Sequence, residues 1–160
     1  MTPRRAAKAP RARVRERASR YAVSIAGPVV VDASIAFLWF VNEPDRVGAE
    51  RLLETESALL APDLMAAKAT NAWWKKLRRR EMGLADVEQA VTNLLALGIA
   101  WTPSTVLLRP AARLAVEVGH PVYDCLYLAL AASHGAALAT ADARLRQAAE
   151  RLGVRVWSAS

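Results

Sequence analysis

The sequence predicts an α/β fold with a central parallel sheet covered on both faces, and three observations predict it. Short apolar or β-branched runs recur along the chain, from VVVD at 29–32 to VRVW at 154–157. Longer segments with helical spacing of apolar residues separate them, and strands separated by helices pair in parallel beneath those helices. The chain has 160 residues, 54% of them hydrophobic, which is enough to bury one core.

The elements follow in order. VVVD is short enough for a strand buried on both faces. ASIAFLWFVNE reads as a helix and PDRVGAERLLETE as a second, with Pro44 near its start. ALLAP at 58–62 is the second strand, and Asp63 suits the N-cap of a long helix running to about Arg80. GLADVEQAVTNLLALG at 83–98 is amphipathic and closes on Gly98. IAWTP at 99–103 is the third strand, and Ser104 opens a helix to about Val118 that Pro110 is expected to kink or break. HPVYDCLYLALAASHG is a strongly apolar helix, with Pro121 in its first turn and Gly135 just past its end. AALAT at 136–140 is the fourth strand, ADARLRQAAERLG a helix, and VRVW a short last strand.

The net charge of +7 is unevenly spread. Residues 1–20 hold eight Arg or Lys and one acid, leaving 14 basic and 14 acidic residues in the balanced remainder. The chain therefore divides into a basic arm, 1–27, expected to be disordered, and a folded domain, 28–160. The arm reads as a solvated tail or as a non-specific nucleic-acid contact. One cysteine, Cys125, excludes an internal disulfide and suits a reducing, cytoplasmic setting. The apolar stretches are too short or interrupted to span a bilayer, so no membrane role is expected.

In a sheet of this kind, ligands collect at the carboxyl ends of the strands. Asp32 ends the first strand, and Asp142 lies two residues past the fourth. Asp124 falls in the first turn of an apolar helix, where a carboxylate needs a cation, a donor or a helix N-terminus. Each acid has an ordinary reading, as a helix cap for Asp32 and Asp142 and as partner to a buried donor for Asp124. Together they favour a shared divalent cation, and oxygen-only ligands suit Mg²⁺ or Mn²⁺. Ser34 and Thr140 add hydroxyls that orient such carboxylates. His120 and His134 flank their helix and read as capping or surface residues, and Cys125 reads as packing.

VVVDAS, APDLMAAKATNAWW, HPVYDCLYLALA and LATADARL, in this order and spacing, resemble the PIN-domain ribonucleases, and specifically the VapC-type toxins of toxin–antitoxin pairs. The resemblance spans about residues 28–157. It implies a three-layer α/β/α sandwich with a parallel sheet of four to five strands and Mg²⁺- or Mn²⁺-dependent cleavage of single-stranded RNA. It also implies a cognate VapB-like antitoxin and a homodimer. By that resemblance Asp32, Asp124 and Asp142 are the catalytic, metal-binding acids, supported by Ser34, Thr140 and Asn71.

The family places a fourth acid, a Glu, on the helix after the second strand. PDLMAAKATN matches that pattern at its other fixed points but carries Lys68 at the Glu position. Two unit charges ~4 Å apart interact by about 4 kcal/mol at an effective dielectric near 20, and a divalent ion doubles this. Lys68 therefore either snorkels to the surface or reaches the acids and opposes a metal there. A weakened or inactive nuclease is the expectation. The rivals are a catalytically dead PIN-fold module that binds antitoxin or RNA, and a DNA-directed nuclease of the same fold. WWKKLRRRE at 73–81 reads as a cationic helix end or as a basic rim guiding RNA, and Glu43 as a possible further carboxylate at the site.

Overall fold

A computed structural model describes residues 27–159, so the basic arm lies outside the described residues apart from Gly27. Four strands form one sheet: β1 (Val29–Val31), β2 (Leu59–Pro62), β3 (Ala100–Thr102) and β4 (Ala137–Ala139). Seven helices among the described residues flank it: α1 (Ala33–Leu38), α2 (Arg46–Glu54), α3 (Leu64–Arg78), α4 (Leu84–Leu95), α5 (Ser104–Val118), α6 (Val122–His134) and α7 (Ala143–Arg151). None of these helices is long and apolar enough to cross a membrane.

The strand order is β3-β2-β1-β4 and every pairing is parallel. Val29 sits opposite both Leu59 and Ala137, which fixes the register at the centre of the sheet. From β1 the chain steps outward to β2 and β3, then crosses back to place β4 on the other side of β1. The crevice between the carboxyl ends of β1 and β4 is thus a topological switch point, where ligands bind in open α/β sheets. The expected fifth strand is reduced to a single parallel bridge, Val156 to Leu138. Leu138 N donates to Arg155 O and Trp157 N to Leu138 O, both at 2.8 Å, so the tail still covers the β4 edge.

Val29, Val30 and Val31 are wholly buried, as a central parallel strand requires. In α6 seven consecutive residues, Cys125 to Ala131, are buried; a helix apolar all round belongs inside. Met65, Ala69 and Trp73 make the buried stripe of α3, and Trp73 meets Phe40 edge-on at 5.6 Å. Trp74 turns outward, with the Arg78 guanidinium 5.2 Å from its ring.

Two expectations, a break of the helix at Pro110 and a cap by Asp63 on its own helix, fail for physical reasons. Pro110 does not end α5, which runs unbroken from Ser104 to Val118. Pro110 and Val106, the residue four back whose carbonyl loses its helical partner, are both exposed, so water satisfies what proline removes. Asp63 does not cap its own helix either. Its carboxylate accepts from the Ser104 backbone N at 2.9 Å and from the Ser104 hydroxyl, while Ser104 Oγ accepts from Leu64 N at 3.3 Å. Residues 41 apart thus satisfy the first turns of each other's helices, and these bonds hold the Asp63 carboxyl below its ordinary pKa.

Candidate active site at the carboxyl ends of β1 and β4

The turn leaving β1 sets the first part of the site. Asp32 has extended backbone and caps α1, its Oδ1 accepting from Ala33 N at 2.7 Å. Its Oδ2 accepts from Ser34 Oγ at 2.7 Å and from Thr140 Oγ1 at 2.9 Å. The carboxylate is buried, and these three donors are what make an ionised group tolerable there. Ser34 Oγ in turn accepts from Ala141 N at 2.9 Å, which staples the β1 turn to the β4 turn.

Thr140 continues the network, accepting from Asp142 N at 3.0 Å. Asp142 caps α7, and both of its cap bonds, from Arg144 N at 2.8 Å and Leu145 N at 3.1 Å, fall on Oδ1. Asp32, Ser34, Thr140 and Asp142 therefore form one connected oxygen-rich edge. The capping reading of both acids holds, and the cap bonds fix where the carboxylates stand.

Asp124 belongs to a different set of contacts. Lys68, on α3, donates from Nζ to Asp124 Oδ1 at 2.5 Å. The ammonium also lies 5.1 Å from the Tyr123 ring and 5.2 Å from the Tyr127 ring, two cation–π contacts from the same helix as the acid. Lys68 is thus not snorkelling. It fills a cage of one carboxylate and two aromatic faces. On the far side His120 Nε2 lies 3.3 Å from Asp124 Oδ2, though without hydrogen-bond geometry.

Sequence reasoning missed His120, Tyr123 and Tyr127. His120 is buried where α5 meets α6, not a surface residue. Its signal was the spacing: His120, Tyr123 and Tyr127 stand at four before, one before and three after Asp124. Tyr127 links the halves of the site electrostatically. Burial first, and then the Asp32 charge, push its phenol far above the ordinary range.

Asn71 is exposed and takes no part in the network's hydrogen bonds. Glu43 lends no carboxylate to the site; it pairs with Lys76, which also holds Glu81 at 2.5 Å. These two carboxylates, Glu43 foremost, raise the Lys76 pKa. Cys125 is buried packing, its thiol pushed up to about 11 by burial and then by the Asp124 charge. His134, at the exposed end of α6, rests its Nδ1 on Leu130 O at 3.1 Å.

The donors suit a hard cation in kind, being carboxylates and hydroxyls, but not in arrangement. Among the described residues no three His, Cys, Asp or Glu side chains stand together in a way that could hold a metal ion. The shared cation expected from three acids has no such cluster to rest on, and Asp124 is turned to the Lys68 ammonium instead.

The PIN domain family matches residues 29–151. Ribonuclease VapC3 of Pyrobaculum aerophilum is 35% identical over 124 residues, covering 74% of this chain and 92% of that protein. Ribonuclease VapC9 of Mycobacterium tuberculosis is 29% identical over 117 residues, covering 73% and 87%. Among solved structures, PAE2754 of Pyrobaculum aerophilum superposes with a TM-score of 0.57 at 26% identity, over 78% of this chain and 81% of that one. Mycobacterium tuberculosis VapC20, a sarcin–ricin loop cleaving toxin, shares the fold with a TM-score of 0.60 at 17% identity, over 75% and 94%. With the fold, the acid-bearing switch point and the sequence in agreement, the chain belongs to the PIN-domain family, as a VapC-type toxin.

Proposed function

We propose that this chain is a VapC-type endoribonuclease toxin directed at single-stranded RNA in the cytoplasm, and that it is a weakened nuclease as it stands. The observation that carries the second half is the Lys68–Asp124 pair. Phosphodiester hydrolysis at such an acid site draws on Mg²⁺ or Mn²⁺ to activate water and to steady phosphoryl charge. Asp32, Asp124 and Asp142 are the acids that would hold such an ion once Lys68 no longer occupies Asp124, with Ser34 and Thr140 positioning Asp32. Here the cation beside Asp124 is the chain's own ammonium, and the fourth acid that would help retain a metal is missing.

A cognate VapB-like antitoxin and a homodimer follow from the same family reading and belong to this proposal. Loss of chemistry with retention of fold and partner binding, the pseudo-nuclease reading, is favoured by the same pair if the loss is complete. The deciding experiment compares cleavage of a single-stranded RNA and its DNA counterpart in Mg²⁺ and Mn²⁺ by three proteins: this chain, Lys68→Glu, and Lys68→Glu combined with Asp32→Asn. A gain of RNA cleavage in the single variant that the second substitution abolishes supports the proposal. Equal activity in this chain and Lys68→Glu refutes the role given to Lys68, and inactivity of all three refutes the nuclease.

A further inference from the structure

The C-terminal half of α3 carries the densest positive charge of the folded domain. Of the domain's 14 basic residues, five fall within 75–80. Lys76 is committed to Glu43 and Glu81. Lys75, Arg78, Arg79 and Arg80 are exposed, and none of them is in an ion pair among the described residues. Glu81, whose charge Arg79 feels, is already held by Lys76.

Helix stability does not account for this cluster. Lys75 stands three and four residues before Arg78 and Arg79, so like charges repel along one face. A cation in the last turn suits the helix dipole, and Lys76 already supplies one. Arg80 holds the left-handed conformation that favours glycine, at φ 62°, so an arginine is kept there against backbone preference. Trp74, 44% exposed, adds an accessible aromatic ring beside the Arg78 guanidinium, which lies 5.2 Å away.

The cluster is continuous with the acid site. Lys68, Asn71, Lys75 and Arg78 follow one another at helical spacing on one face of α3, and the Lys68 ammonium meets Asp124. From Lys68 to Arg78 the helix rises about 15 Å, the span of roughly four stacked nucleotides. We propose that this face of α3 is a track for single-stranded RNA leading away from the acids. Lys75, Arg78, Arg79 and Arg80 hold its phosphates, and Trp74 stacks a base. Cations on phosphates carry no sequence information, and every base offers a face to an aromatic ring, so the track is indifferent to sequence. It rests on the RNA reading of the acid site, but its measurement needs no cleavage.

The experiment is fluorescence anisotropy of a labelled oligouridylate with the full chain in EDTA, repeated over a range of KCl concentrations. Arg78→Gln, Arg79→Gln and Arg80→Gln, combined in one variant, should weaken binding at least about tenfold. They should also flatten the logarithmic salt slope by about 2, at roughly 0.7 per phosphate contact. The basic arm is present in both proteins and drops out of that difference. Lysine at the same three positions should keep the slope, since the charge is what the phosphates use. Trp74→Ala should weaken binding at least about fivefold and leave the slope alone. Unfolding curves that match the parent establish that these exposed substitutions leave the fold intact. An unchanged slope in the glutamine variant, undiminished binding by Trp74→Ala, or equal binding of duplex RNA or polyglutamate overturns the track. Cleavage of RNA by Lys68→Glu in that case leaves the nuclease reading standing, and binding as expected without cleavage does the converse.

Discussion

The Lys68 ammonium and the Asp124 carboxylate are joined at 2.5 Å across α3 and α6, with the Tyr123 and Tyr127 rings both beside the ammonium. Lys68→Glu replaces that attraction with repulsion between neighbouring carboxylates. With the lysine side chain about 30% exposed, solvent screening leaves a loss of about 1–3 kcal/mol. Added Mn²⁺ should recover stability in Lys68→Glu and leave the unsubstituted chain unmoved. Thermal unfolding with and without MnCl₂ checks this, and an equal Mn²⁺ gain in both proteins would contradict the ammonium's role.

Thr140 holds the two halves of the acidic edge together. Thr140→Val keeps the shape but deprives the buried Asp32 of a donor and Asp142 N of an acceptor. We expect a loss of about 1–3 kcal/mol in urea unfolding, with Thr140→Ser retaining most of it. A valine variant as stable as the parent would show that the bonds contribute nothing.

The Asp63–Ser104 clasp makes a pH-dependent contribution. The folded Asp63 pKa is lowered from 3.8, chiefly by the Ser104 hydroxyl, so its stabilisation is present above that unfolded value and is lost as pH falls through the folded one. Asp63→Asn should cost about 1 kcal/mol at neutral pH, as for a lost cap, and should shrink the difference from the parent in acid below pH 4. Stability curves of the two proteins from pH 7 to pH 2 provide the check; parallel curves would sink the assignment.

Cys125 should be chemically silent in the folded protein. With its thiol near 11 and buried, thiolate at pH 8 is about a hundredfold scarcer than at the ordinary value of 9.0. Stability associated with the protonated thiol is complete below 9.0 and is lost as pH rises through about 11. Labelling by iodoacetamide at pH 8 should be very slow in buffer and fast in denaturant. Rapid modification of the native chain would place the thiol outside the core.

Much of this was legible before any coordinates. VVVD, ALLAP, IAWTP and AALAT each contain a strand, because a buried parallel strand is a short apolar run and its neighbours here are long helical ones. Asp32, Thr140 and Asp142 could be brought together on paper by the rule that ligands gather at strand carboxyl ends. Asp63 could not be read correctly, since a cap signal says a side chain seeks N–H groups but not whose. His120 misled in the same way: Gly119 and Pro121 mark a turn, and only the packing of α5 on α6 reveals that this turn is internal. VRVW has a strand's composition but only one bridge to pair it, an outcome set by where the tail meets β4.

The strand order also has a consequence in time. Asp32 and Thr140, hydrogen-bonded partners, are 108 residues apart, and β4 is the last strand made. During synthesis Asp32 is made 108 residues before the Thr140 hydroxyl that donates to it, so its buried carboxylate waits longest for its partner. The acidic edge is completed only once β4 and the turn to Asp142 have been made, so its oldest member, Asp32, and its youngest, Asp142, come together last.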